Sequence, residues 1–469
     1  MGRVKIIVTL GPSSIEYDVV KRMVKEGASG VRINCAHGDE KSWMEYARIA
    51  RDVAAELDTV VPLILDTPGP QARSGDFTEF TVNRGDTVVF TLNRDGQGEK
   101  NIWLPMKAFY TTVSIGDTLL YGDGELSFRV VDVEDSAVRA VALNSGVAKP
   151  RKKVVVEGKE YEASFPGEVD KRVFKFAADV KASFIALSYV KKRRDVEIAR
   201  DLLAMHGWTP GLIAKIETRS GFINMRDILE VADGLIVARG DLGLHFPLEE
   251  IPLIQEQIVR EVVKQGKIVI VATEVLESMV NNPRPSRSDV VDLYNSVFNL
   301  VDAVLLTNET AIGRYPVEAV KWAKRIIEKA ELGLSRSIVN EYRSFIPVRD
   351  LLEKYVQGLI LLSESIGGVI VDFSRTGRVP TLLSKLRPQT SVYIGVSDKL
   401  LAEKLTLRYG LNVIEMSKIL PAESDYERGV ARLRELLVET GRLKPGDIVI
   451  ETYARPHINV HEIRISQVM

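Results

Sequence analysis

The chain has 469 residues, too many for one ordinary core, and domains of roughly 100 to 200 residues imply about three folding units. Its 63 basic and 64 acidic side chains leave a formal net charge of -1, which excludes a global field that would draw it to nucleic acid or an anionic membrane; its expected partners are small. The single cysteine, Cys35, excludes an internal disulfide framework and a multi-thiolate metal site within one subunit, and suits a reducing cytoplasm.

The chain runs straight into Val4-Lys5-Ile6-Ile7-Val8 with no apolar leader, and no stretch reaches membrane-spanning length, so a soluble, unprocessed, cytoplasmic protein is expected. From Arg3 to Thr67 short β-branched runs alternate with helical patterns: Lys5 to Leu10, Ile15 to Lys25, Val31 to Cys35, Ser42 to Leu57 and Pro62 to Asp66. After Thr67 the texture changes to Thr- and Val-rich runs broken by turns such as Arg84-Gly85-Asp86 and Gly122-Asp123-Gly124, which read as an inserted small β domain. Alternation resumes at Phe184 to Leu187, Gly211 to Ile216, Gly234 to Ala238, Lys267 to Ala272 and Ala303 to Thr307. With the first three runs that makes about eight strands, the number that closes a (β/α)8 barrel. Beyond Leu332 a helix over Leu351 to Ser365, a strand over Val369 to Phe373, a helix over Pro380 to Leu386 and a strand over Val392 to Val396 read as a separate open α/β domain. The expected division is 1–67 with 166–335 for the barrel, 68–165 for the insertion, as a small β-barrel lid, and 336–469 for the α/β domain.

In such a barrel the reactive groups sit at the C-terminal ends of the strands. Those ends carry Arg32 and Asn34, Asp66 and Thr67, Ser188, Lys215 and Glu217, Arg239 and Asp241, Thr273 and Glu274, then Asn308, Glu309 and Thr310. Glu217 and Asp241 make a hard oxygen pair suited to Mg2+ or Mn2+, although Asp241 also reads as a helix cap. Lys215 lies two residues before Glu217, on the same face of an extended strand, where a cation could stabilise an enolate or simply pair with a carboxylate. Arg32 could hold phosphoryl oxygens or a structural ion pair, and the turn at Gly240 could present backbone N–H groups to an anion.

Together these residues resemble the pyruvate kinase family along the whole chain. The signatures are Lys5 to Ser14, Val31-Arg32-Ile33-Asn34-Cys35-Ala36-His37-Gly38, Leu65-Asp66-Thr67-Pro68-Gly69-Pro70, Ala214-Lys215-Ile216-Glu217 and Ala238-Arg239-Gly240-Asp241-Leu242-Gly243, followed by Ala272 to Met279, Pro283 to Arg287 and Asn308-Glu309-Thr310-Ala311. The resemblance implies phosphoryl transfer between phosphoenolpyruvate and ADP, giving pyruvate and ATP. It implies Arg32, Lys215 and Thr273 as catalytic, and Arg32, Ser188, Lys215, Gly240, Asp241 and Thr273 as substrate-binding. Glu217 and Asp241 would hold the divalent ion, Asn34, His37 and Arg73 would face the nucleotide, and Asp123 would reach over from the lid. It further implies K+ at Asn34, Asp66 and Thr67, where the family's serine ligand corresponds to Ala36, and a neutral Gln71 stands where the family has glutamate or lysine. The family's paired lysines near the end of the insertion are replaced by Glu160-Tyr161. In the third domain the loop Ser374-Arg375-Thr376-Gly377-Arg378 corresponds to a site for a phosphorylated effector, a sugar phosphate or AMP, and reads equally as a polar capping turn. A homotetramer is the inherited expectation. Two rivals stand beside this reading: another metal-dependent barrel acting on pyruvate or phosphoenolpyruvate, and an inactive metabolite sensor.

Overall fold

A computed structural model describes residues 2–94, 100–122, 124–421, 424–455 and 460–469. Eight parallel strands, Lys5–Leu10, Ala28–Asn34, Leu63–Asp66, Phe184–Leu187, Gly211–Ile216, Gly234–Ala238, Ile268–Ala272 and Ala303–Leu306, close into one barrel. Each pairs with its sequence neighbours, and the last returns to the first with Lys5 opposite Ala303 and Val8 opposite Leu306. Helices cover the outside while side chains fill the inside, so these strands are buried on both faces and read as continuous apolar runs rather than alternating ones. Ile7, Ile64, Phe184, Ile213, Ile236 and Ile270 pack in the interior, joined from outside the barrel sequence by Leu407. Each such side chain contributes about 1.5 to 3 kcal/mol by leaving water.

The helix expected from Ser42 to Leu57 spans Glu40–Glu56; it starts earlier because Asp39 caps it, accepting from Ser42 N at 3.0 Å. The turn after the first strand packs against the short helix that follows the eighth. A Cβ on Gly11 would stand 2.5 Å from the Ala311 carbonyl, which explains a glycine there. Thr310 ties the same seam, donating from Oγ1 to the Thr9 carbonyl at 2.9 Å and accepting from Thr9 N at 3.0 Å.

Between the third and fourth barrel strands the insertion forms a six-stranded sheet and a separate two-stranded ribbon, Phe80–Val82 with Gly146–Ala148. Where a small β-barrel is expected, the described residues thus show two sheets wrapped on one apolar core that includes Val82, Phe90, Phe109, Phe128 and Ala148, and their ladder does not close.

The C-terminal part is a five-stranded sheet ordered Leu411–Glu415, Val392–Val396, Val369–Phe373, Ile448–Arg455 and Val460–Gln467; only the last strand is antiparallel. It is docked under the barrel floor. Arg387, 1 % exposed, donates from both terminal nitrogens to Asp302 at 2.9 Å each, and Asp302 also accepts from Val269 N at 3.0 Å and Tyr409 N at 2.8 Å. Lys5 donates to the Leu411 carbonyl at 2.7 Å.

Candidate active site

At the opposite end, the mouth, four strand ends converge on a buried cluster of charges. Arg32 lies two residues before the end of the second strand. Its Nε donates to Asp66 Oδ2 at 2.7 Å and one terminal nitrogen donates to Thr9 Oγ1 at 3.0 Å. The other terminal nitrogen makes no hydrogen bond among the described residues. Asp66 ends the third strand in register with Asn34. Burial opposes its ionisation, yet Arg32 and Lys215 hold its carboxyl below the usual range. Ser188, after the fourth strand, donates to Asp66 Oδ1 at 3.3 Å, and its backbone N donates to Thr67 Oγ1 at 3.2 Å.

Lys215 in the fifth strand gathers the cluster. Its Nζ donates to Ser188 Oγ at 2.9 Å and to Asp66 Oδ1 at 3.3 Å, and lies 2.9 Å from Glu217 Oε1. Burial pulls its pKa down, but Asp66, Glu217 and Asp241 outweigh that and hold it above the usual lysine value, so it stays an ammonium. Glu217, 1 % exposed, accepts from Tyr189 N at 2.8 Å through Oε2. Its Oε1 forms an ion pair with the Lys215 ammonium at 2.9 Å and accepts no further hydrogen bond. Burial pushes this carboxyl up to about 7; Lys215 works against the rise and Asp241 adds to it.

Asp241, the third residue of the short helix Arg239–Leu242 after the sixth strand and not its cap, is paired with Lys153 of the insertion through Oδ1. Against burial, Lys153 and Lys215 keep its carboxyl below the usual range. Beside it Gly240 N donates to Thr273 Oγ1 at 2.9 Å. Thr273 and Glu274 end the seventh strand with φ of +65° and +53°, a left-handed pair that costs of order 1 kcal/mol or more per residue. Arg239 stabilises that turn by donating to the Thr273 carbonyl at 2.6 Å while bound to Asp292.

Glu217 Oε1 is met only by the Lys215 ion pair and accepts no further hydrogen bond, so it keeps lone-pair capacity. Glu217 Oε1 beside Asp241 therefore fits a hard divalent cation. Among the described residues no three His, Cys, Asp or Glu side chains come together as a metal cage, so these two carboxylates leave further coordination positions for substrate or water.

The other expected residues are more spread. Asn34 Oδ1 faces its own loop and accepts from Ala36 N at 3.1 Å. His37 is exposed; partial desolvation first, then the nearby Arg73 and Arg32, push its imidazole below the ordinary value. Arg73 donates to the Arg151 carbonyl at 2.7 Å. Asp123 lies outside the described residues. In the third domain Ser374 Oγ accepts from Gly377 N at 2.9 Å, Arg378 opens the helix Arg378–Lys385, and Arg375 stands over the Tyr426 ring, all far along the chain from the mouth.

Sequence reasoning missed Lys153 and Tyr189. The run Arg151-Lys152-Lys153 was the available signal for the first. At Glu160-Tyr161 the structure puts an anchor instead: Glu160 accepts from Ser220 N at 2.8 Å and pairs with Lys191 at 3.1 Å, binding the return leg of the insertion to the barrel.

Comparison with known proteins agrees with this architecture. Residues 1–320 match the family model for the pyruvate kinase barrel domain, and residues 363–462 match that for the pyruvate kinase alpha/beta domain. Pyruvate kinase from Aeropyrum pernix is 34% identical over 99% of this chain and 98% of its own length. That from Geobacillus stearothermophilus is 32% identical over 97% of this chain and 78% of its own. A crystal structure of a pyruvate kinase from Cryptosporidium parvum superposes with a TM-score of 0.89 at 28% identity, covering 99% of this chain and 96% of that one. The chain thus belongs to the pyruvate kinase family, a divalent-metal-dependent phosphotransferase that carries the phosphoryl group of phosphoenolpyruvate to ADP and yields pyruvate and ATP.

Proposed function

We propose that the reaction runs at the mouth with Arg32, Lys215 and Thr273 as its catalytic residues, and with Ser188, Gly240 and Asp241 completing the phosphoenolpyruvate site. The observation that carries this reading is the Lys215 ammonium ion-paired at 2.9 Å with Glu217 Oε1, an oxygen that accepts no further hydrogen bond. Arg32, two of whose nitrogens are already fixed by Asp66 and Thr9, turns its remaining one to the phosphoryl oxygens. Lys215 keeps its proton and meets the negative charge that appears on the enolate oxygen as the P–O bond breaks. The phosphoryl group passes to a terminal oxygen of ADP, bound on the side of Asn34, His37 and Arg73. Thr273, its hydroxyl oriented by Gly240 N and its own strand-end turn, relays a proton to the enolate carbon, completing pyruvate. When bound by Glu217 and Asp241, Mg2+ or Mn2+ supplies Lewis-acid stabilisation of that charge.

A monovalent site at Asn34, Asp66 and Thr67 has Ala36 in place of a hydroxyl ligand, and Asp66 is already engaged by two cations, which supports catalysis with little response to K+. The loop 374–378 is the proposed site of a sugar phosphate or AMP, and a homotetramer the proposed assembly, acting in the cytoplasm. Boundaries at 67/68, 165/166 and 335/336 are proposed for the three domains.

Pyruvate formation from phosphoenolpyruvate and ADP with Mg2+, run with and without K+, tests this. ADP-dependent turnover that K+ changes less than about twofold is expected. Strict K+ dependence would sink the cation assignment, and Lys215→Ala turning over as fast as the unaltered chain would sink the catalytic one.

A further inference from the structure

Beneath the barrel, next to the contact of Arg387 with Asp302, a second group of charges is not balanced. Arg200, in the helix Arg193–Met205, and Lys267, just before the seventh strand, come from the barrel. Lys404, in the helix Lys399–Thr406, and Arg408, just after it, come from the third domain. All four donate to backbone carbonyls of the segments that lead into the fifth, sixth and seventh strands: Lys404 to Thr209 at 3.0 Å, Arg200 to Val231 at 2.6 Å, Lys267 to Ala232 at 2.8 Å and Arg408 to Gly266 at 2.9 Å.

The carboxylate they share is Asp233, whose pull reaches Lys267, Lys404 and Arg408. Its Oδ2 accepts from Leu212 N at 2.8 Å, and at 3.7 Å Arg200 alone comes within ion-pair range of it among the described residues. The other nearby acids are committed elsewhere. Asp302 is held by Arg387, Glu403 by Arg51 and Ser183, and Asp398 caps its own helix by accepting from Leu401 N at 2.6 Å. Four cations against one carboxylate leave a surplus of three positive charges in a cleft where Lys267, Lys404, Arg408 and Asp233 are half-buried. A carbonyl solvates a cation without neutralising it, so the surplus field persists. Burial first, then repulsion from Arg408 and Arg200 against the pull of Asp233, holds Lys267 below the ordinary lysine value, and burial with Arg200 does the same to Lys404. Each ammonium has three donors and spends one on its carbonyl, which leaves donors as well as charge for a ligand.

We propose that this cleft between the barrel floor and the third domain binds a phosphate-like dianion, either free inorganic phosphate or the phosphate group of a metabolite, held by Lys267 and Lys404 and flanked by Arg200 and Arg408. It shares no residue with the loop 374–378 and rests on no assignment at the mouth. Because each domain supplies two of the four cations, an anion bound there offsets their repulsion and fastens the domains to each other, so its binding adds to the stability of the folded chain.

Calorimetric titration of the full chain with inorganic phosphate tests this. Asp233→Asn keeps an acceptor for Leu212 N and removes the competing charge; it is expected to bind phosphate about tenfold more tightly than the unaltered chain. Lys267→Met and Lys404→Met should each bind about tenfold more weakly, and Arg375→Met, in the loop 374–378, should leave this affinity unchanged. Equal affinity in the unaltered chain and all three floor variants, or a loss confined to Arg375→Met, would overturn the site. So would the absence of binding to both the unaltered chain and Asp233→Asn at about 10 mM phosphate. Glycerol 3-phosphate separates the two sources: if it binds more tightly than inorganic phosphate and is weakened equally by Lys404→Met, the occupant is a phosphorylated metabolite, and if it binds more weakly the occupant is free phosphate. Should a lysine variant fail to fold, Asp233→Asn still decides the matter, because phosphate should raise its thermal midpoint more than that of the unaltered chain. An equal shift in the two proteins would overturn the proposal.

Discussion

At the floor of the barrel Asp302 receives four hydrogen bonds, two from Arg387 and one each from Val269 N and Tyr409 N, so both of its oxygens are fully engaged. At the mouth Glu217, just as deeply buried, receives one from Tyr189 N and none at Oε1. Both ends bury carboxylates against cations, and burial alone does not say what they are for. The difference lies in satisfaction: Asp302 spends its lone pairs on hydrogen bonds between two domains, whereas Glu217 Oε1 has only the Lys215 ion pair and keeps capacity for a further partner.

Three substitutions test that contrast. Lys215→Ala is expected to lower kcat by about three orders of magnitude while phosphoenolpyruvate still binds. A large loss of stability with normal turnover would assign the mouth a structural role. Arg387→Met should do the reverse, costing about 3 to 5 kcal/mol in denaturant unfolding because Asp302 is left buried and unpaired, with kcat largely kept below the transition. The smallest effect concerns Lys5, whose pKa burial lowers to about 8 against the attraction of Glu331 and Asp302. Because the folded state gives up this proton more readily than the unfolded one, stability should rise as pH goes from about 8 to 10.5, by about 1 to 3 kcal/mol, and be flat below that window. Lys5→Met should lack the rise; a parallel rise in both proteins would remove Lys5 from the floor's electrostatics.

The barrel was legible because buried parallel strands leave an apolar run whose last polar residue marks the mouth, as in Ala214-Lys215-Ile216-Glu217, where the structure sets both charged side chains into one cluster. In the third domain Val369–Phe373 and Val392–Val396 match the sequence reading end to end. The helix read from Pro380 begins at Arg378, because Gly377, at φ +74°, turns the chain into it before the proline. Contacts between distant segments were not legible. Nothing local to Arg151-Lys152-Lys153 says which of three adjacent cations will meet a carboxylate 88 residues away, and nothing around Arg387 names Asp302. Such pairings follow from how domains dock, which period and composition do not encode.

Leu407 gives the floor one more consequence. The residue that completes the interior packing of the barrel is carried by the C-terminal domain, about a hundred positions after the last barrel strand ends at Leu306. During synthesis every barrel strand has left the ribosome before that plug exists, so the nascent barrel stays open at its base and reaches its final packing only when the far domain arrives.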